Sequence, residues 1–158
     1  MSRSHHRRRY PSRSSPRKDE VPVFSPDCQR LENLLQRLPS PCPSLRVQKC
    51  VGEGTFSKVY MVRDGERRLA IKHLVPTASP ERILMEVECL KSAEGKHNVL
   101  PLLFVHRSLG NVIFAMPYIE CSKFSDVIKT LDHVEARLYM KNLLMALAHI
   151  HRLGIIHR

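Results

Sequence analysis

The chain has 158 residues, of which 42% are hydrophobic, and it carries a net charge of +11 at pH 7. This length is enough for one domain with an ordinary core, whereas no apolar run is long enough for a membrane span or a secretory signal. The five cysteines are an odd set without a Cys-x-x-Cys pair, which is typical of reduced thiols rather than of a disulfide framework or a zinc site. We therefore expect a soluble protein of a reducing compartment, without a membrane segment.

The amino-terminal segment concentrates positive charge. Seven basic residues precede Asp19, the first acidic one: Arg3, Arg7, Arg8, Arg9, Arg13, Arg17 and Lys18. Residues 1–25 contain almost no large aliphatic side chain and cannot bury enough apolar area to offset the entropy lost on ordering, so we predict a disordered basic tail. It is either a nuclear import signal or nucleic-acid-binding arm, or a solvated tail without a partner. No aromatic platform accompanies it, which disfavours sequence-specific nucleic-acid contact.

Residues 26–44 are predicted to form a short helix and a proline-rich linker. Ser25-Pro26-Asp27 is typical of a helix start, with serine as the cap and proline in the first turn. Four leucines follow at helical spacing: Leu31, Leu34, Leu35 and Leu38. Three prolines then end the helix: Pro39, Pro41 and Pro43.

The segment from Gly52 to Val59 reads Gly-Glu-Gly-Thr-Phe-Ser-Lys-Val and lies between two predicted strands. Its glycines lack a Cβ, so the backbone can adopt turn angles closed to other residues and its amides can approach phosphate oxygens. The segment neither runs into a helix, as in a dinucleotide fold, nor contains the Gly-Lys-Ser/Thr of a Walker loop. It therefore predicts a phosphate-binding β-hairpin. After a turn at Asp64-Gly65, a third strand carries Lys72, whose charge suits the same phosphates.

A second helix start follows at Ser79-Pro80-Glu81, and an apolar stripe predicts the buried face of that helix: Ile83, Val87 and Leu90. At 100° per residue, Glu86 lies within the arc of this stripe, while Glu88 lies opposite. We therefore predict that Glu86 points inward and needs a cation, since an unpaired buried carboxylate is costly. A partly exposed helix charge is the alternative.

Two more apolar runs, 100–105 and 112–116, flank a turn at 108–111 and complete a predicted five-stranded antiparallel sheet. From Val134 to about Leu153, four residues share one face of a long amphipathic helix: Tyr139, Leu143, Leu147 and Ile150. His151 lies at the margin of this face, and we interpret it as a hydrogen-bonded core histidine rather than a metal ligand or catalytic group. The sequence then reads to His157-Arg158.

Residues 45–158 resemble protein kinases in the order of their features. This order is glycine loop, strand lysine, inward glutamate, hinge, helix and His-Arg. Three stretches resemble the cell division cycle seven kinases more closely: Gly52–Ser57, Ala70–Thr77 and Ala115–Tyr118. The resemblance implies an α+β fold. Residues 45–116 would form a kinase amino-terminal lobe with a five-stranded antiparallel sheet and one large helix. Residues 117–158 would form the hinge and only the first helices of the carboxy-terminal lobe.

The resemblance also implies an ATP site and the residues that form it. Lys72 and Glu86 would be the catalytic ion pair, Met116 the gatekeeper and Ala70 the roof of the adenine pocket. Ser57 stands where the kinase pattern has its third glycine. The full set implied for nucleotide binding is Val51, Gly52, Glu53, Gly54, Thr55, Phe56, Ser57, Lys58, Val59, Ala70, Lys72, Met116, Pro117 and Ile119. At Pro117 and Ile119 the contact would come from hinge backbone.

By this resemblance the protein would be a nuclear serine/threonine kinase of replication initiation, activated by a regulatory subunit and acting on minichromosome maintenance helicase subunits. The aspartate expected after Arg158, the catalytic-loop asparagine and the Asp-Phe-Gly ligand of Mg²⁺ are not in the sequence. We therefore expect a fragment with the ATP-binding half of the site, inactive alone and destabilised by exposed apolar surface. The alternative is a non-catalytic product that binds ATP or the activator subunit.

Overall fold

The computed structural model describes residues 26–38, 45–74, 79–108 and 110–157. The predicted basic tail, the cap at Ser25, the proline-rich linker over 39–44, residues 75–78, Leu109 and Arg158 lie outside this description. The elements are α1 (Pro26–Leu35), β1 (Leu45–Gly54), β2 (Ser57–Asp64), β3 (Arg67–Leu74), α2 (Pro80–Ala93), β4 (Phe104–Ser108), β5 (Asn111–Pro117), α3 (Phe124–Val127) and α4 (His133–Arg152).

Within the described residues, the five strands form one antiparallel sheet in the order β1-β2-β3-β5-β4. The turn after Asp64 is tight because Asp64 pairs with Arg67, and Gly65 adopts a positive φ of 57°. The β4–β5 turn is equally short, with Ser108 opposite Asn111. The predicted sheet and both predicted turns are therefore confirmed.

Helix α1 covers one face of this sheet. Its leucines Leu31 and Leu35 are fully buried in the same cluster as inward-facing strand residues. The strand members of this cluster include Val47, Tyr60, Val62, Ile71 and Ile113. Each such leucine contributes about 1.5–3 kcal/mol by leaving water, so α1 is an integral layer of the lobe. An ion pair of 3.6 Å between Glu32 and Arg46 also joins α1 to β1.

Helix α2 covers the opposite face. Its predicted stripe, Ile83, Val87 and Leu90, packs against a cluster that comprises Leu74, Val112 and Phe114. The hydroxyl of Ser79 accepts a hydrogen bond of 3.3 Å from the backbone N–H of Arg82, and Pro80 follows in the first turn. The predicted start of α2 and the packing of its apolar stripe on the sheet are therefore confirmed, although the stripe residues are partly rather than fully buried.

Helix α4 begins with a capping box, in which Asp132 and Glu135 each accept a hydrogen bond from the other's backbone N–H. Two contacts join it to the last residue of α2 and to the loop that follows α2. Asn98 donates to the backbone carbonyl of Asn142 at 3.2 Å, and a ring nitrogen of His149 lies 3.0 Å from the carbonyl oxygen of Ala93.

The prediction for His151 is wrong, because this side chain is exposed while His149 makes the hydrogen bond. Two positions along a helix differ by about 200°, so the two histidines point to opposite sides. Among the described residues of α4, only Ile150 is buried. Large apolar side chains exposed along the helix are Val134, Leu138, Tyr139, Met140, Leu143, Leu144 and Met145. The expected exposed apolar surface is therefore confirmed.

We predict that this α4 surface drives self-association of the 158-residue chain. Replacing Leu138 and Leu144 together with lysine should lower the association constant at least tenfold, because apolar area is lost and like charges are added. Sedimentation velocity over a concentration series measures this. A control with lysines at exposed Ser92 and Ser122 adds the same charge and should associate like the parent. Equal association of both double variants would contradict the prediction.

Tyr60 predicts a pH dependence of stability. The residue is 1% exposed, and burial raises the pKa of its phenol to about 12 from an unfolded value of 10.0. A raised pKa means that the phenol stays protonated to a higher pH in the folded state than in the unfolded state. This contribution is complete below pH 10 and is lost as the pH rises to 12, at up to about 1.4 kcal/mol per pH unit. Urea unfolding should show a smaller decline over this range for Tyr60→Phe. An identical decline would contradict the assignment.

Candidate nucleotide site

The glycine-rich hairpin turns at Thr55 and Phe56, with Gly54 opposite Ser57 in the ladder. Neither Gly52 nor Gly54 lies in the left-handed region of backbone angles. An added Cβ would meet no described atom closer than 3.8 Å at Gly52 or 3.7 Å at Gly54. The prediction that these glycines take turn angles closed to other residues is therefore wrong. What their missing Cβ provides is room for a ligand to approach the backbone.

Lys72 lies on β3 between two cross-strand neighbours, Val59 of β2 and Phe114 of β5. Its ammonium forms an ion pair and hydrogen bond with the Glu86 carboxylate and lies 5.8 Å from the centroid of the Phe114 ring. The predicted contact of Glu86 with Lys72 is confirmed, but the carboxylate is partly exposed, as in the alternative prediction, rather than buried. The two side chains are 23% and 36% exposed, so water weakens their attraction. The pair chiefly fixes where the ammonium lies.

A cavity of about 390 Å³ lies between the hairpin tip, β3 and the start of α2. Its lining residues are Gly54, Thr55, Phe56, Ser57, Lys72, Leu74, Ser79, Arg82, Ile83 and Glu86. This volume is within the range of small-molecule sites. Because Lys72 provides a cation and the hairpin provides backbone amides, the cavity has the chemistry of an anion site.

Arg82 is a cavity residue that the sequence reasoning missed. It provides a second cation, and its guanidinium lies 5.8 Å from the centroid of the Phe56 ring at the hairpin tip. The available signal was its position four residues before Glu86, which puts both side chains on one face of α2.

The predicted adenine-binding residues lie farther along the face that carries Lys72. Ala70 pairs with Met116, so their side chains share this face, and Val59 belongs to it through its pairing with Lys72. Strand β5 ends at Pro117, and Ile119 beyond it is 63% exposed. Along this face, Ala70 and Met116 therefore lie between Lys72, which is near the hairpin tip, and Pro117 at the end of β5.

The side chains of four predicted loop residues do not line the described cavity: Val51, Glu53, Lys58 and Val59. Val51 is 43% exposed, next to an irregularity in the β1–β2 register. Lys58 forms ion pairs with Glu53 at 3.0 Å and with Asp27 of α1 at 2.8 Å, on the sheet face opposite Val59. Glu53 and Lys58 could therefore contact a nucleotide through their backbone but not through their side chains.

The described part of the chain also bears on metal, membrane and disulfide chemistry. No group of three or more His, Cys, Asp and Glu residues there could hold a metal ion. No helix among the described residues is both long and apolar enough to cross a membrane. Four cysteines of the described ranges form no disulfide bond: Cys28, Cys50, Cys89 and Cys121.

Comparison with known proteins decides the family. The model of the protein kinase domain matches residues 45–158. The chain belongs to the protein kinase family. It is 39% identical over 156 residues to the cell division cycle 7-related protein kinase of Mus musculus, covering 95% of this chain and 28% of the relative. Its human counterpart is 39% identical over 133 residues, covering 81% of this chain and 23% of the relative.

A Drosophila melanogaster relative named non-specific serine/threonine protein kinase is 38% identical over 139 residues, covering 82% of this chain and 21% of the relative. The chain thus spans a fifth to just over a quarter of these relatives. The comparisons confirm the resemblance to the cell division cycle seven kinases, and the sheet and α2 match a kinase amino-terminal lobe. Members of the kinase family generally use ATP and Mg²⁺.

Proposed function

We propose that this chain provides the ATP-binding half of a serine/threonine protein kinase. The observation that carries the proposal is the Lys72–Glu86 ion pair at a cavity bounded by the glycine hairpin. A lysine held by a glutamate of the large helix, next to a glycine hairpin, is the arrangement with which kinases bind the phosphates of ATP. Membership of the kinase family supports this interpretation of the cavity.

Residues of different chemistry would contact different parts of the nucleotide. Hairpin amides and the Lys72 ammonium would hold the phosphates, and the apolar side chains of Val59, Ala70 and Met116 would contact adenine. The Pro117 carbonyl and the Ile119 backbone would supply hydrogen bonds at the hinge. Mg²⁺, when bound with ATP, neutralises phosphate charge, and we assign it no ligand among the described residues.

For the whole protein we propose phosphoryl transfer from ATP to serine or threonine of protein substrates, in the nucleus, during replication initiation. The names of the relatives support a role in the cell division cycle. Minichromosome maintenance helicase subunits are the substrates we propose, and a regulatory subunit is the proposed activator. These follow from the resemblance to the cell division cycle seven kinases.

ATP binding is tested by two substitutions with opposite expected signatures. Gly54→Ala should weaken ATP binding about tenfold, because the added methyl group occupies the ligand's approach, and should leave stability unchanged, because it meets no described atom within 3.7 Å. Gly65→Ala should do the reverse. At its φ of 57° a side chain costs roughly 1–2 kcal/mol, while ATP affinity should remain that of the parent.

Titration calorimetry and urea unfolding measure the two quantities. Lys72→Ala should lower ATP affinity more than tenfold, because the phosphates lose one of the two cations that line the cavity. Failure of the parent chain to bind ATP, or parent-like affinity of both Gly54→Ala and Lys72→Ala, would contradict the proposed site.

A groove on α2 favours docking of the activator at this lobe. Its volume is about 560 Å³, and it lies between α2 and the β4–β5 hairpin. Leu84, which is 58% exposed, and Val105 are among its apolar lining residues, while Lys91 and Arg107 add positive charge. An apolar side chain with acidic neighbours fits this chemistry. Because α2 also carries Glu86, an occupant can stabilise the ion pair. Docking is the part of the function that a non-catalytic product would retain.

We predict that Leu84→Asp abolishes co-precipitation of the regulatory subunit, because it puts a carboxylate into the apolar groove. Met85→Asp is the matched control, since Met85 is 59% exposed and adjacent on α2 but does not line the groove. Equal binding by both variants would contradict the groove assignment. Binding of ATP and activator without phosphorylation above the level of Lys72→Ala would favour the non-catalytic alternative.

A further inference from the structure

Lys58 joins helix α1 to the tip of the glycine hairpin. Its ammonium lies 2.8 Å from the Asp27 carboxylate and 3.0 Å from the Glu53 carboxylate. Asp27 belongs to the first turn of α1, and Glu53 stands between Gly52 and Gly54. The Lys58 side chain on β2 therefore contacts both helix α1 and the β1 strand of the glycine hairpin.

The helix that supplies Asp27 is firmly attached to the sheet. Leu31 and Leu35 are 0% and 1% exposed in the core beneath it, and Glu32 pairs with Arg46 near the start of β1. The Asp27 carboxylate is therefore a fixed point against which the hairpin tip can be held. On the other side of the hairpin, Phe56 contacts Arg82 of α2.

The charges of these three side chains determine on which face of the sheet the Glu53 carboxylate lies. Hydrogen bonds to Asp27 and Glu53 raise the pKa of Lys58, and the hydrogen bond with Lys58 lowers the pKa of Asp27, so both groups stay ionised near neutral pH. Lys58 also holds the Glu53 carboxylate on the sheet face opposite Val59. A carboxylate released between the two glycines would repel incoming phosphates.

We propose that α1 positions the glycine hairpin for nucleotide binding through Asp27, Lys58 and Glu53. The ion pairs keep the hairpin tip in register over the cavity and keep the Glu53 charge away from it. Asp27 and Lys58 are thus positioning residues, because they act on the nucleotide through the hairpin. This inference rests on the proposed ATP site for its functional consequence, whereas the hairpin's restraint can be measured without nucleotide.

Hydrogen exchange followed by mass spectrometry tests the restraint in the 158-residue chain. Asp27→Asn should accelerate exchange of the amides of residues 52–58 by about two- to fivefold, the range for partly exposed ion pairs, and should leave β3 unchanged. Asp27→Glu keeps the carboxylate and should exchange like the parent. Arg46→Gln is the matched control, because it breaks the other ion pair between α1 and the sheet, which Glu32 forms with Arg46 of β1, and should leave the hairpin tip unaffected.

ATP affinity of the same variants measures the functional consequence. Asp27→Asn should weaken binding two- to fivefold at low salt, and the difference should vanish in about 1 M salt, where exposed charges are screened. A general loss of fold would instead persist at high salt and would accelerate exchange in β3 as well. Parent-like exchange of the hairpin in Asp27→Asn, or equal acceleration in Arg46→Gln, would overturn the proposal. If the parent chain binds no ATP but the variants show the predicted exchange, the proposed ATP site is wrong and the restraint of the hairpin by α1 is still supported.

Discussion

The ion pair between Lys72 and Glu86 is the contact on which the arrangement of the site depends. It joins β3 to α2, and the cavity lies between these elements and the hairpin tip. The pair is partly exposed, so its own contribution to stability is modest. Its geometry is set instead by the apolar packing of α2 on Leu74 and Phe114. A rotation of α2 by one residue, about 100°, would carry Glu86 away from the lysine.

Local patterns in the sequence were sufficient to predict these elements. The stripe of α2 fixed the direction of Glu86, because residues on one helical face repeat every three or four positions. Positive-φ turns such as the one at Gly65 could likewise be read from residue type. The docking of α1 on the sheet could not be predicted from the sequence, since leucines at helical spacing indicate an apolar side of the helix but not the surface that it covers. The contact between Asp27 and Lys58 spans 31 positions, and no local pattern encodes it.

Two predictions failed for reasons that sequence could not resolve. The glycines of the hairpin were expected to adopt turn angles closed to other residues, but the ladder continues through Gly52 and Gly54, and neither has a positive φ. Residue type alone does not distinguish a glycine needed for its φ from one needed for its missing Cβ. Similarly, helical position placed His149 on the polar face of the long helix and His151 at the margin of its apolar face, whereas His149 is the one that is hydrogen-bonded. The position of the carbonyl of Ala93 decides between them, and that position is a property of the tertiary fold.

The two faces of the sheet link the core beneath α1 to the candidate nucleotide site. Successive residues of a strand point to opposite faces, so Ile71 enters the α1 core while Lys72 faces the cavity. The same alternation separates Tyr60, under α1, from Val59, on the nucleotide face. Because Ile71 and Tyr60 are almost fully buried, their packing fixes the rotation of β3 and β2 about their axes. The direction of Lys72 is therefore determined partly by side chains that cannot touch a nucleotide. Helix α1, which covers those side chains, is for this reason a component of the site as well as of the core.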